Sequence, residues 1–309
     1  MYGLHTMTDE ASNHYVSSRG ILKSCDYVST TPRSSIRRLI NYPDVKELQN
    51  HACPTIYVCG SAIPHFIQTL MPAFTGPFVL VSGDCDETIY RDIFRTTEEF
   101  TAFIDNPRLI RWFSQNAISK HEKLTQIPIG LDYHTMVTRP LWGNNTISSK
   151  AQESRLVEIA TSAKPFSERF VSCHANFQFT LGTKYGYDRV DAIKSIPKQV
   201  VKYEPRSVAR EETWQTQTKY AFVISPHGGG YDCHRTWEAL ILGCIPVVKT
   251  SGLDGLYDDL HVLIVNDWGD VTDELLRETV DRFSRTNFSN EKLTLSYWMD
   301  MIHSFAALK

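Results

Sequence analysis

The sequence predicts an α/β protein of two lobes, each built on a parallel sheet, with a C-terminal helix that closes the molecule. Short apolar runs that end at glycine or at a polar turn alternate with segments of helical periodicity along most of the chain. Such alternation is typical of doubly wound sheets that carry helices on both faces. The 309 residues exceed one ordinary domain and suit two domains of about 150 residues each.

The elements of the first lobe follow an arm of about forty residues that has no clear period and that we expect to be irregular. TIYVCG, from Thr55, and PFVLVSGD, from Pro77, are apolar runs stopped by glycine, as buried parallel strands are. Ser61 is a candidate N-cap for the next helix, which tolerates Pro64 near its start. The predicted strands of this lobe are 55–60, 77–84, 108–116 and 123–134, and its predicted helices are 62–71 and 96–105.

The second lobe repeats the pattern after an interruption at residues 138–168, which contain TRPLWGNNTISS and a polar helical segment. RFVSCHANF, from Arg169, restarts the strands, and AFVIS, at 221–225, is strongly apolar. The predicted strands are 169–177, 198–203, 221–225, 244–250 and 261–268, and the predicted helices are 153–164, 187–196, 210–219, 235–243 and 270–283.

The interruption also gives the predicted division of the chain, with the boundary between the lobes inside residues 133–165. Residues 1–150 are predicted to form the N-terminal lobe and 151–290 the C-terminal lobe. Residues 291–309 are predicted to form a helix that packs back on the N-terminal lobe. Its apolar stripe consists of Leu295, Trp298, Ile302 and Phe305.

The composition excludes several classes of function. With 42% hydrophobic residues, 22% charged residues and a net charge of −3, the chain gives no support for bulk electrostatic binding to nucleic acid or to an anionic membrane. The N-terminal residues lack the apolar core of a signal peptide, and no stretch approaches the roughly 20 apolar residues of a membrane span. The seven cysteines are scattered, as in reduced proteins. We therefore expect a cytoplasmic protein without a membrane span.

The strongest functional signal is SPHGGGYDCHRTWEALILGCIPVV, residues 225–248, which predicts a strand, a glycine loop and a helix. The three glycines allow backbone amides to approach a ligand closely, and the N-terminus of the following helix favours phosphate. Arg235, in the first turn, can bind phosphate oxygens in a bidentate fashion. Glu238, three residues later, lies on nearly the same face, and its carboxylate can accept hydrogen bonds from a ribose diol. The segment therefore predicts a nucleotide site.

This segment resembles the donor-binding signature of exostosin-like glycosyltransferases, including those encoded by large DNA viruses. The shared pattern runs approximately S-P-x-G-x-G-x-D-x-x-R-x-W-E-A-L-x-x-G-x-I-P-V-V, and weaker similarity includes SGDCDE, PIGLD and LIVNDW. The resemblance implies the GT-B architecture, in which two Rossmann-like lobes enclose a cleft, the C-terminal lobe binds the sugar nucleotide and the N-terminal lobe faces the acceptor. It also implies transfer of a sugar from a nucleotide sugar, most often a UDP-sugar. We expect this transfer to be inverting and metal-independent and to reach a glycan hydroxyl, with xylose the first donor to test and galactose and glucuronate next.

Carried over by position, the resemblance assigns Arg235 to the diphosphate and Glu238 to the ribose, with the loop shaped by its serine and glycines. Tyr231, on the loop, is placed to stack on the base or the sugar, and Arg189, in the first helix of the C-terminal lobe, could reach the diphosphate. Ser251 and Gly252 follow a strand and are assigned by fold analogy to the sugar. The predicted donor site is Ser225, Gly228, Gly229, Gly230, Tyr231, His234, Arg235, Glu238, Arg189, Ser251 and Gly252.

An inverting transferase also needs a general base that deprotonates the acceptor hydroxyl. Asp84 is our first candidate, because it follows a strand whose carboxyl end should face the cleft. His65, Asp86 and Asp132 are alternatives. If transfer is retaining, a separate base of this kind is not required.

Two other functions are compatible with the sequence. Asp84 and Asp86 form a DxD pair, which in a GT-A-like glycosyltransferase would hold Mg²⁺ or Mn²⁺ on the donor diphosphate. Alternatively, the protein could be a non-catalytic module that binds a sugar nucleotide or a glycan. The cluster Asp232-Cys233-His234, with His227, lacks the paired spacing of a zinc site, and the preferred interpretation requires no metal or other cofactor.

Overall fold

Two separate parallel sheets form the framework of the computed structural model, which describes residues 10–140, 145–178, 182–204 and 206–307. This confirms the predicted α/β class. The nine strands in the described part of the chain are β1 (Thr55–Cys59), β2 (Phe78–Gly83), β3 (Leu109–Ser114), β4 (Leu124–Gln126), β5 (Phe170–Ala175), β6 (Val201–Tyr203), β7 (Tyr220–Ile224), β8 (Ile245–Lys249) and β9 (Leu263–Val265). The first sheet has the order β1-β2-β3-β4 and the second has the order β6-β5-β7-β8-β9.

Helices connect the strands and cover the sheets. The α-helices are α1 (Ser18–Lys23), α2 (Ile63–Ala73), α3 (Thr97–Ile104), α4 (Tyr133–Thr138), α5 (Ser149–Ser162), α6 (Gly186–Ser195), α7 (Arg210–Gln217), α8 (His234–Ile241), α9 (Asp273–Ser284) and α10 (Leu295–Ala307). Short 3₁₀ helices lie at Glu10–Ser12, Val45–Asn50, Gly60–Ala62, Phe166–Glu168, Asp254–Tyr257, Trp268–Asp270 and Glu291–Leu293.

The first sheet is buried on both faces, which explains why its strands are continuous apolar runs. Every residue of β1 and β2 is buried, as expected for parallel strands covered by helices. The connection from β1 enters α2 through a 3₁₀ turn, so the N-cap is Ala62 and no side chain caps the helix. The prediction that Ser61 caps this helix is therefore wrong, because the 3₁₀ turn carries the chain past Ser61 before α2 begins.

The strand order of the second sheet creates a crevice. From β5 the chain crosses through α6 to β6 on one side, and from β6 it returns through α7 to β7 on the other side. The loops that follow β5 and β7 therefore leave the sheet in opposite directions at adjacent carboxyl ends. In open α/β sheets, ligands bind at such a switch point.

The arm before β1 is more regular than predicted. It contains α1, whose N-cap Ser17 accepts a hydrogen bond from the Gly20 amide at 2.9 Å. Val16, Ile21 and Leu22 are buried, so the arm contributes to the core. A helix of six residues is too short to give a recognisable period in the sequence.

Helix α10 lies against the first sheet, where it contacts β1, β2 and β3 and also α1. Leu295, Trp298 and Ile302 are buried. The ring of Phe305 lies edge-on to Phe113, with 5.7 Å between centroids. One face of the first sheet is thus covered by α10, although α10 comes after all strands of the second sheet in the sequence.

The state of the cysteines and the character of the helices can be compared with the sequence-based expectations. All seven cysteines are free thiols, and six of them are buried. Among the described residues, no helix combines the length and the apolar character needed to cross a membrane.

The buried carboxyl group of Glu10 gives a prediction for stability. Burial raises its pKa to about 7, although Lys23 and Arg19 oppose the increase. Because this value exceeds the ordinary 4.5, Glu10 favours the native state below pH 4.5 and loses that contribution as the pH rises to about 7. We expect Glu10→Gln to be about 2–3 kcal/mol more stable than the wild type at about pH 8, and no more stable at about pH 4, in urea unfolding. Exposed Glu98→Gln is the control, and an equal gain at both pH values would contradict this account.

Candidate functional site

A cavity of about 900 Å³ opens between the two lobes at the carboxyl ends of both sheets. Its walls follow β5, β6 and β7 in the second lobe and β2 and β4 in the first. This volume lies within the range of small-molecule sites. The lining residues are Asp86, Ile129, Asp132, Asn176, Phe177, Gln178, Arg189, Glu204, Arg206, Ser207, Val208, Arg210, Thr213, Gly229, Gly230, Asp232, Cys233, His234, Arg235 and Glu238.

At each position of the glycine loop, residues 228–230, the end of a side chain from another element lies where a Cβ atom would be. A Cβ atom at these three positions would lie 2.3 Å from Arg189, 2.2 Å from Asp86 and 2.7 Å from Asn116, in that order. Such distances are too short for a real Cβ contact. Since Asp86 and Asn116 follow strands of the first sheet, the loop is packed against both lobes.

Hydrogen bonds fix the ends of the glycine loop. The His227 amide donates to Asp188 Oδ2 at 2.8 Å, and Asp188 Oδ1 accepts from Trp268 Nε1 at 2.8 Å. The Tyr185 amide donates to the Gly228 carbonyl at 2.9 Å. The loop is therefore held in shape by groups that lie outside the cavity.

Two guanidinium groups lie beside the loop that follows β5. Arg235 Nη1 donates to Ser225 Oγ at 3.1 Å, and its guanidinium carbon lies 5.6 Å from the centre of the Phe177 ring. Arg189 Nη1 donates to the Gln178 carbonyl at 2.9 Å. Burial lowers the pKa of Arg235, but a guanidinium remains protonated in proteins. Positive charge is thus concentrated where the glycine loop and the N-terminus of α8 meet.

Glu238 lies one turn deeper in α8 and is linked to the first lobe through Arg210. Glu238 Oε1 is 3.5 Å from Arg210 Nε, and Arg210 Nη1 donates to the Asp132 carbonyl at 2.9 Å. Asp132 Oδ2 is 3.6 Å from Arg210 Nη2. Burial opposes ionisation of Asp132, but nearby positive charges, including His234 and Arg210, outweigh it and hold the pKa of Asp132 well below its usual range.

The start of α8 is also bound to the first lobe. His234 Nδ1 donates to the Gly130 carbonyl at 2.7 Å. Asp232 Oδ2 accepts from the Ile129 amide at 2.7 Å, and Asp232 Oδ1 accepts from Trp237 Nε1 at 2.9 Å. Burial raises the pKa of Asp232 to about 6, against the effect of these donors.

The carboxyl group of Asp86 faces the cavity beside Gly229. Burial and the charge of Glu87 raise the pKa of Asp86 above its ordinary value, while His234 and Arg189 partly oppose the increase. A raised pKa in a cleft is a property of carboxylates that accept protons during catalysis.

The structure brings together many, but not all, of the residues that the sequence singled out. The predicted residues that line the cavity are Asp86, Asp132, Arg189, Gly229, Gly230, His234, Arg235 and Glu238. Ser225 and Gly228 do not line the cavity but contact residues that do. Ser225 accepts a hydrogen bond from Arg235, and Gly228 lies against Arg189.

Asp84 and His65 lie outside the cavity, in contact with the arm. Asp84 Oδ2 is 3.3 Å from Arg19 Nη2, and Asp84 Oδ1 accepts from Ser34 Oγ at 2.7 Å. His65 Nδ1 accepts from the Leu39 amide at 3.2 Å. The DxD carboxylates therefore point to different partners, Asp84 to the arm and Asp86 to the glycine loop. Within the described ranges, no group of three or more His, Cys, Asp or Glu is arranged to hold a metal ion.

Tyr231, Ser251 and Gly252 are also outside the cavity lining. The Tyr231 ring packs on Tyr185, with 4.3 Å between centroids. A Cβ atom at Gly252 would lie 2.5 Å from Ile118 Cβ in the first lobe. Tyr231 and Gly252 therefore join elements around the cavity instead of lining it, whereas the Ser251 amide donates to Asp254 Oδ1 at 2.9 Å within its own turn.

Several lining residues were missed by sequence reasoning, above all Arg210 and the loop residues after β5 and β6. A usable signal existed, because Asn176 and Phe177 end one predicted strand, Glu204 and Arg206 come shortly after another, and the carboxyl ends of parallel strands gather ligands. The pairing of Arg210 with Asp132, far apart in sequence, had no local signal.

No protein family model and no curated protein matches the chain.

Proposed function

We propose that this protein is a GT-B type glycosyltransferase that transfers a sugar from a UDP-sugar to a glycan hydroxyl. The observation that carries this proposal is the composition of the cavity at the switch point of the second sheet. There the glycine loop, the N-terminus of α8 and two arginines surround one end, while Glu238 lies one turn deeper. Phosphate at the first end and ribose at the second fit a sugar nucleotide.

Donor binding would use each of these groups. The amides of Gly229 and Gly230 and the guanidinium of Arg235 would hold the diphosphate, while the Gly228 amide donates to the Gly230 carbonyl at 3.0 Å within the loop. Arg189 would approach the diphosphate from α6. Glu238 would accept hydrogen bonds from the ribose hydroxyls, oriented by its contact with Arg210. The same positive groups would stabilise the charge that develops on the leaving diphosphate.

We propose Asp86 as the general base. Asp84 is paired with Arg19, and the low pKa of Asp132 makes it a weak proton acceptor. Asp86 faces the cavity from the acceptor-side lobe, and its pKa is raised. In the proposed step the acceptor oxygen bonds to the anomeric carbon, the bond from that carbon to the diphosphate oxygen breaks, the hydroxyl proton passes to Asp86 and UDP leaves with the bonding electrons.

Donor affinity provides the test. Arg235→Lys keeps the charge but removes the planar fork, and Glu238→Gln keeps the shape but removes the carboxylate. We expect each variant to bind UDP or a UDP-sugar about 10–100-fold more weakly in calorimetry, because each loses hydrogen bonds to a charged group. Donors to test are UDP-xylose, UDP-galactose and UDP-glucuronate.

Arg169→Lys is the matched control for Arg235→Lys. Arg169 is a buried arginine of the second lobe. It donates to the Leu242 carbonyl after the far end of α8, at 2.9 Å, so its replacement should leave UDP affinity unchanged. If Arg235→Lys and Glu238→Gln both bind UDP as the wild type does, the donor site is misplaced. Release of UDP from a UDP-sugar in the presence of acceptors would distinguish an enzyme from a binding module. Full transferase activity in EDTA would exclude the GT-A-like, metal-dependent alternative.

A further inference from the structure

The arm carries an unbalanced positive segment. Residues 27–42, YVSTTPRSSIRRLINY, contain Arg33, Arg37 and Arg38 but no Asp or Glu, in a chain whose net charge is −3. All three arginines are exposed. None of them makes a salt bridge or a hydrogen bond within the described part of the chain, whereas exposed Arg277 and Arg285 each contact an aspartate one turn away, at 2.7 and 3.9 Å.

Hydrogen bonds hold this segment across the carboxyl edge of the first sheet. The Ser35 amide donates to the Asp84 carbonyl at 2.9 Å, immediately after β2. Tyr42 Oη donates to the carbonyl of Tyr57, in β1, at 2.8 Å. The Leu39 amide donates to His65 of α2 at 3.2 Å. The arginines are therefore displayed by an ordered segment at a defined place.

That place adjoins the first-lobe wall of the cavity. Asp84, which the segment contacts, is two residues before Asp86, which lines the cavity. Ligands of open α/β sheets gather at this edge. Asp84, the carboxylate that Ser34 of this segment contacts, is paired with Arg19, and no salt bridge joins it to the three arginines.

We propose that Arg33, Arg37 and Arg38 bind the anionic groups of the acceptor glycan, which would carry carboxylate, sulfate or phosphate. This inference rests on the proposed function and names the class of its acceptor. Guanidinium groups match planar carboxylates and phosphates in bidentate geometry. Since the arginines are exposed, their attraction for the acceptor is screened by salt.

A matched pair of probes tests the charge requirement. Oligogalacturonate is anionic, and its fully methyl-esterified form has the same sugar backbone without the charge. We expect the wild type to prefer the anionic form at low salt and to lose that preference at high salt. The variant Arg33→Gln/Arg37→Gln/Arg38→Gln should bind oligogalacturonate about tenfold more weakly, since three exposed ion pairs are removed.

The control variant Arg155→Gln/Arg277→Gln/Arg285→Gln also removes three positive charges, one from α5, one from α9 and one from the residue after α9. Its oligogalacturonate affinity should equal that of the wild type. UDP affinity should be unchanged in both triple variants, because the replaced arginines lie outside the donor site. If the wild type itself fails to bind UDP, that result counts against the donor site and not against this inference. Equal binding of the two probes, or equal loss in both variants, would overturn it. It would also be overturned if the arm variant loses affinity only for anionic vesicles or DNA.

Discussion

Replacing Asp86 with Asn should lower kcat by roughly 10²–10⁴-fold, the usual contribution of a positioned general base. Affinity for the UDP-sugar should be retained or improved, because a negative charge is removed from beside the glycine loop. UDP release gives kcat, and calorimetry gives the affinity. Because burial raises the pKa of Asp86, wild-type activity should fall with decreasing pH at a pH above the ordinary pKa of an aspartate, and the variant should lack that limb.

Two further variants test whether Asp86 or Asp84 is the general base. Asp105→Asn, at the end of α3 and exposed beside His121, should have wild-type kinetics. Asp84→Asn removes the carboxylate that pairs with Arg19 and should act mainly on stability. If Asp84→Asn abolishes turnover and Asp86→Asn does not, the base lies beneath the arm, and our assignment of Asp86 is wrong.

Replacing Asp188 with Ala should destabilise the protein by about 3 kcal/mol and should also weaken UDP binding. The carboxylate is 1% exposed and accepts from the His227 amide and from Trp268 Nε1. Its removal leaves two buried donors without an acceptor, each costing about 1–3 kcal/mol. The His227 contact also shapes the glycine loop, so donor affinity and stability should fall together. Urea unfolding and calorimetry measure the two effects.

Asp191→Ala is the control in the same helix, α6. Asp191 is partly exposed and lies 2.9 Å from Lys249 Nζ, so its loss should cost less than about 1 kcal/mol. It should leave UDP affinity unchanged. Equal unfolding midpoints for the Asp188 and Asp191 variants would show that the buried carboxylate does not hold the loop.

The sequence was informative where a signal was local. β1, β2, β7 and β8 are apolar runs because both faces of a parallel strand are buried. Arg235 and Glu238 could be placed together because the motif and the helical spacing lie within α8. The three glycines marked a close approach, although the sequence did not identify the side chains that approach them.

Long-range contacts were not accessible in this way. Asp84 and Asp86 look equivalent in sequence, but Asp84 has a positive φ of 57° and turns towards Arg19 in the arm, which leaves Asp86 in the cavity. Ser251 and Gly252 were assigned by fold analogy, which did not include the approach of Ile118 from the first lobe. Arg210 contacts a backbone carbonyl 78 residues away, and no local pattern encodes such a pairing.

The position of α10 has a consequence for synthesis on the ribosome. The first sheet is complete by Gln126, but the helix that covers one of its faces begins at Leu295. During translation that apolar face therefore lacks α10 until the entire second sheet has been synthesised. Nascent chains released before α10 should therefore be captured by chaperones or degraded through their N-terminal half, although the second sheet could already be folded.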